Sequence, residues 1–221
     1  MAGHDPAQIP RQDMPKRDMS VAHFKNKGTA WWKREDGTPH DPFILANLGE
    51  RRGGRVLEVG SGRGAVTFKV RDAGWNVAAI DVNREFIIHC RKKRDCAGIE
   101  FVQEGAETLP FKDGVFDAVV SIEVLMHLPD PPKVFREMAR VVRPGGRVIV
   151  SFLRKFTYDH LKKSVSAATG IYERKHGKGA FDYRYDTVKD LERYIRGTGL
   201  RIVAISDRES PNPCVMLRKG K

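Results

Sequence analysis

Two hundred and twenty-one residues exceed the size of a disulfide-stapled miniprotein and suit one large domain better than two small ones. Lys and Arg number 40 against 28 Asp and Glu, a formal net charge of +12; nucleic acids, anionic membranes and small anions are all compatible partners, and charge alone does not choose. A 40% hydrophobic content excludes a disordered chain, and three irregularly placed cysteines, Cys90, Cys96 and Cys214, exclude a disulfide framework or a close-paired zinc or redox motif.

The first thirty residues hold acids and prolines but no apolar stretch of signal-peptide length, and no later run reaches a membrane span. The expectation is a cytoplasmic protein in a reducing compartment, with no membrane partner. Residues 1–30 show neither helical nor strand periodicity and read as a mobile basic arm; residues 31–221 read as one domain. Trp31 and Trp32 lead into it, as part of a lid over a ligand or as a plug tying the arm to the core. Asp41-Pro42 then opens a short helix, with Asp41 as its cap and Pro42 in the first turn.

From Arg55 onward short apolar runs alternate with amphipathic stretches. Strands are expected at 56–59, 76–80, 100–102, 116–121 and 147–152, helices at 64–73, 84–94 and 132–142. Apolar strands separated by helices imply crossover connections and a parallel sheet covered on both faces. Pro144-Gly145-Gly146 marks a turn before the fifth strand. Residues 154–186 break the alternation with four of the five tyrosines, Tyr158, Tyr172, Tyr183 and Tyr185, among lysines and arginines, and read as an insertion covering a substrate. A helix at 187–196, a strand at 201–205 and an apolar run at 214–217 complete a doubly wound, Rossmann-like α/β fold: a mostly parallel seven-stranded sheet with a C-terminal antiparallel hairpin.

The chemistry concentrates after the first strand. Glu58-Val59-Gly60-Ser61-Gly62-Arg63-Gly64 sets glycines at alternate positions between strand and helix, where backbone N–H groups approach a ligand closely. A glycine-rich turn also suits a pyridine-nucleotide dehydrogenase, but Glu58 puts a carboxylate where a pyrophosphate would need positive potential. Asp81 ends the next strand, where a carboxylate accepts from two ribose hydroxyls. A nucleoside joined to a cation satisfies both acids.

These residues, with Ala106-Glu107-Thr108-Leu109-Pro110-Phe111, Phe116-Asp117-Ala118-Val119-Val120 and Leu128-Pro129-Asp130, resemble the class I S-adenosylmethionine-dependent methyltransferases, in particular the broad group around the quinone-biosynthesis enzymes. The resemblance runs from about Arg55 to Phe152, with a weaker echo from Tyr185 to Ala204. It implies that Gly60, Ser61 and Gly62 lie under the methionine part of S-adenosyl-L-methionine, that Glu58 orients the turn or faces the cofactor's amino group, and that Asp81 holds the ribose. Val82 would meet the adenine, Ala106 and Glu107 would edge it, and Ser121 with Ile122 would floor the methyl donor. Gly105 stands where many relatives carry an acid, with Glu104 or Glu107 as the available substitutes. The implied reaction is an in-line displacement by an acceptor nucleophile on the sulfonium methyl; it needs no metal, and no metal-ligand spacing is present.

His127, after the fourth strand, is the candidate general base, with a packing role as the alternative. Glu123 on the same edge could bind an amine, or be a solvated helix-start carboxylate. The expected acceptor is a small molecule. RNA is the alternative, from the basic surface, the 91–94 run and the aromatic insertion, although no Asn/Asp-Pro-Pro-aromatic signature follows the fourth strand; a protein acceptor is less favoured.

Overall fold

The computed structural model describes residues 37–49, 53–93, 95–154, 186–208 and 210–221. Five helices and seven strands follow in the order α1 (Asp41–Leu48), β1 (Arg55–Val59), α2 (Ala65–Asp72), β2 (Asn76–Asp81), α3 (Arg84–Lys93), β3 (Ile99–Gln103), β4 (Phe116–Ser121), α4 (Pro131–Val141), β5 (Val142–Ser151), α5 (Val188–Tyr194), β6 (Leu200–Ile205) and β7 (Cys214–Lys219). They form one sheet in the order β3-β2-β1-β4-β5-β7-β6. The first five strands are parallel, and β7 runs antiparallel to both β5 and β6. The expected sheet, with its antiparallel C-terminal pair, is the one found.

The core has two halves, as a sheet covered on both faces requires. Leu57, Val59, Ala78 and Ile80 pack with Phe135, Met138 and Leu191 of α4 and α5. Val56, Val77, Ala79 and Val120 pack with Ile44, Leu48, Phe68 and Ile87 of α1, α2 and α3. The alternation of side chains along each strand divides the two sets.

Two local expectations change. Asp41 does not cap α1: His40 holds the N-cap position, and Asp41 Oδ1 instead accepts from the Thr38 N–H at 3.0 Å and the Thr38 hydroxyl at 2.7 Å. Pro144-Gly145-Gly146 does not precede the fifth strand but lies inside β5, where the register with β4 slips between Phe116 and Ala118. A Cβ on Gly146 would sit 2.9 Å from the Asp117 carbonyl oxygen and 2.6 Å from Val142 Cγ2, so the bulge requires glycine.

The segment expected as an insertion has adjoining ends. Arg154 and Asp186 form an isolated parallel bridge, and the Asp186 N–H donates to the Leu153 carbonyl at 2.8 Å. Residues 155–185 are outside the described set. Among the described residues no helix is long and apolar enough to cross a membrane.

Candidate active site

A cavity of about 210 Å³ opens at the carboxyl ends of β1, β2 and β4, the edge where open α/β sheets bind ligands. The glycine-rich turn forms its base. The N–H groups of Gly60 and Ser61 both donate to the Ile80 carbonyl, at 2.8 and 2.9 Å. The Gly62 N–H donates to Asp81 Oδ2 at 2.8 Å, and Asp81 Oδ1 accepts from the Asn83 N–H at 2.8 Å. The turn between β1 and α2 is thereby tied to the end of β2. Gly60 has φ +79°, and a Cβ there would run into Val124 Cγ2; this position needs glycine both for its backbone and for the close approach of the chain after β4.

The two acids differ in setting. Glu58 is 4% exposed and accepts a hydrogen bond from the Thr67 hydroxyl of α2. Burial pushes its carboxyl up to about 8, against the Thr67 hydrogen bond and with help from the negative charges of Asp81 and Asp41. A cation placed beside it would reverse that and ionise it. Asp81 is also raised by burial, with the Asn83 and Gly62 N–H bonds opposing. Cys90, behind the turn, is pushed up to about 12, chiefly by burial, so its thiol is no nucleophile near neutrality.

Of the residues singled out in the sequence, Glu58, Gly60, Ser61, Gly62, Asp81, Val82, Ala106 and Glu107 all line the cavity. Ile122, Glu123 and His127 line the side formed by the chain after β4. His127 is 7% exposed at the end of a 3-10 turn over Leu125–His127. Ser121 departs from its expected place. It does not line the cavity, and its hydroxyl donates to the Val59 carbonyl at 3.1 Å, between β4 and β1. Trp31, Trp32, Tyr158, Tyr172, Tyr183 and Tyr185 fall outside the described residues.

Arg63 and Leu128, within the quoted motifs, also line the cavity, as do Thr38 and Phe86, which carried no sequence signal of their own. Thr38 precedes α1 and Phe86 lies in the first turn of α3, so both arrive by packing. Near Gly105, Glu104 and Glu107 both reach the cavity wall; Glu104 Oε1 already accepts from the Gly105 N–H at 2.9 Å, and Glu107 takes no hydrogen bond from the described residues.

Residues 57–150 match the family model described as a methyltransferase domain. An uncharacterized protein of Mycobacterium tuberculosis is 38% identical over 112 residues, 50% of this chain and 41% of that one. A ubiquinone/menaquinone biosynthesis C-methyltransferase of Cronobacter sakazakii is 34% identical over 166 residues, 70% of this chain and 62% of that one. Over this matched segment the chain resembles the class I S-adenosylmethionine-dependent methyltransferases. It spans less than two thirds of the length of either relative. The solved structures of S-adenosylmethionine-dependent methyltransferases from Methanosarcina mazei and Mesorhizobium loti share the fold, with TM-scores of 0.64 and 0.66 at 20% and 19% identity. Each covers 84% of this chain, which covers 99% and 100% of theirs.

The cofactor of this methyltransferase family is S-adenosylmethionine, and the cavity suits it chemically. Buried Glu58 suits a ligand that carries a cationic group, and Asp81 one that carries a vicinal diol. The Ser61 hydroxyl is buried without a hydrogen-bond partner among the described residues, and Val82 is an apolar side chain left 46% exposed on the rim. A polar adenosyl ligand gives the first a partner and covers the second.

Proposed function

We propose that this protein transfers a methyl group from S-adenosylmethionine to a small-molecule nucleophile. The observation that carries the reading is the shared cavity: buried Glu58, Asp81 and the glycine-rich turn line it together with Glu123 and His127. The names of relatives such as the Cronobacter sakazakii quinone-biosynthesis enzyme support a small acceptor. When bound, the cofactor supplies an activated methyl group on a sulfonium.

Within this reading Glu58 faces the cationic end of the cofactor, Gly60, Ser61 and Gly62 underlie it, and Asp81 accepts from the ribose hydroxyls with the lone pairs left after its two backbone bonds. Val82, Ala106, Glu107 and Ile122 exclude water around the ring and the methyl donor. His127 takes a proton from the acceptor where the nucleophile is protonated. Residues 31–221 act as one methyltransferase domain.

Titration with S-adenosylhomocysteine, then methyl transfer from radiolabelled cofactor into separated metabolites, RNA and protein, tests the reading. Label in the metabolites supports it. Label confined to RNA or protein overturns the acceptor, and nicotinamide dinucleotide binding without any response to S-adenosylhomocysteine overturns the cofactor.

A further inference from the structure

Glu123 is the single described residue other than glycine with positive φ, +59°. That conformation costs about 1–2 kcal/mol in an L-residue with a long side chain. The structure holds it in place from several sides. Its N–H donates to the buried Ser151 hydroxyl at the end of β5, at 2.7 Å, and the next residue, Val124, presses on Gly60.

The side chain is held as well. Asn212, in the connection from β6 to β7, donates from Nδ2 to Glu123 Oε1 at 3.3 Å, and Nδ2 lies 3.3 Å from His40 Nε2 at the start of α1. His40 Nε2 is 3.8 Å from the same carboxylate oxygen. Turning the Asn212 amide round would set Oδ1 against Glu123 Oε1, acceptor to acceptor, so the carboxylate fixes the amide's orientation. The consequence is that Asn212 Oδ1 is buried without a partner among the described residues, a cost proteins seldom accept without a return. Glu123 Oε2 accepts no hydrogen bond from the described residues, and Glu123 borders the cavity beside His127.

Three chain segments thus fix one carboxylate at the cavity wall and leave one of its oxygens open. We propose that Glu123, positioned by Asn212 and His40, binds the methyl acceptor through a hydrogen-bond donor of that molecule, an ammonium or a phenolic hydroxyl, and rejects acceptors presenting a carboxylate there. This rests on the methyltransferase reading above.

The test uses the full chain saturated with S-adenosylhomocysteine and three probe sets of matched size, aryl amines with an ammonium arm, phenols and aryl carboxylates, with binding read by ligand-observed NMR. Amines and phenols are expected to bind and carboxylates to fail. Glu123→Gln should weaken the ammonium probes by about tenfold or more, as expected for a bond to a charged group. Asn212→Ala should weaken them by about threefold to tenfold, with melting temperature and S-adenosylhomocysteine affinity unchanged in both variants; a purely structural Asn212 would instead lower the melting temperature. Carboxylates binding as well as amines, unaltered ammonium binding by Glu123→Gln, or no binding by any amine or phenol would overturn the assignment alone. Wild-type protein that fails to take S-adenosylhomocysteine overturns both this assignment and the function it rests on.

Discussion

Replacing Glu58 with Gln probes the electrostatic centre of the cofactor end. With no cation beside it, burial pushes the Glu58 carboxyl up to about 8, so roughly nine molecules in ten hold the proton at about pH 7. A cofactor cation favours the ionised form. Binding at that pH should therefore release close to one proton, and ionising the group first costs about 1.4 kcal/mol, a factor of roughly ten in affinity. The logarithm of the association constant should rise with a slope near one below about pH 7 and level off above about pH 8. Calorimetry in two buffers of different ionisation enthalpy counts the proton directly. Glu58→Gln should bind more weakly at high pH, release no proton and lose the slope. Wild-type binding that is independent of pH across this window, with no proton released, would refute the reasoning.

The same group governs stability in the ligand-free protein. Its folded value lies above the ordinary 4.5, so the native state holds a proton that the unfolded chain has given up. Stability contributed by Glu58 is present below about pH 4.5 and is lost as pH climbs toward about 8. Glu58→Gln should accordingly melt higher than wild type near neutrality, with an advantage that shrinks on acidification.

Four further outcomes are expected. Asp81→Ala should weaken S-adenosylhomocysteine by about 1.5–3 kcal/mol, the worth of hydrogen bonds to a charged acceptor, as measured by calorimetry; unchanged affinity would remove Asp81 from the site. Gly60→Ala should cost roughly 2–4 kcal/mol in denaturant unfolding, combining the left-handed backbone with the collision on Val124; a loss under about 0.5 kcal/mol would show that the loop yields freely. If His127 is the base, His127→Ala should slow methyl transfer by about 10²-fold or more at unchanged cofactor affinity, and a wild-type rate at every pH would leave it a packing residue. Arg201, Arg218 and Arg147 stand in register across β6, β7 and β5 and make no ion pair among the described residues, so Arg218→Thr should raise stability by about 0.2–1 kcal/mol, less at high salt. A lower melting temperature at low salt would contradict that repulsion.

Much of this architecture was legible in the chain. Val56-Leu57, Ala78-Ala79-Ile80 and Val119-Val120 are apolar on both strand faces, which only a sheet covered on both sides accommodates, and the amphipathic stretches between them had to be crossover helices. The Gly60–Gly64 turn and the acids Glu58 and Asp81 were visible because their roles depend on strand ends, which hydrophobic patterning locates well.

What the tertiary structure decided lies where local pattern carries no information. Ser121 ends β4 where expected, but the face on which its side chain emerges is set by the pairing of β4 with β1; its hydroxyl went to the Val59 carbonyl rather than to the cavity. Pro144-Gly145-Gly146 has the composition of a turn, yet the pairing of Val142 and Arg147 with β4 on either side of it drew it into β5 as a bulge. Asn212 lies 89 residues from Glu123 and 172 from His40. Whether these three meet depends on how the sheet is wound, because contacts between distant segments follow from packing the whole core and not from the periodicity of any one of them.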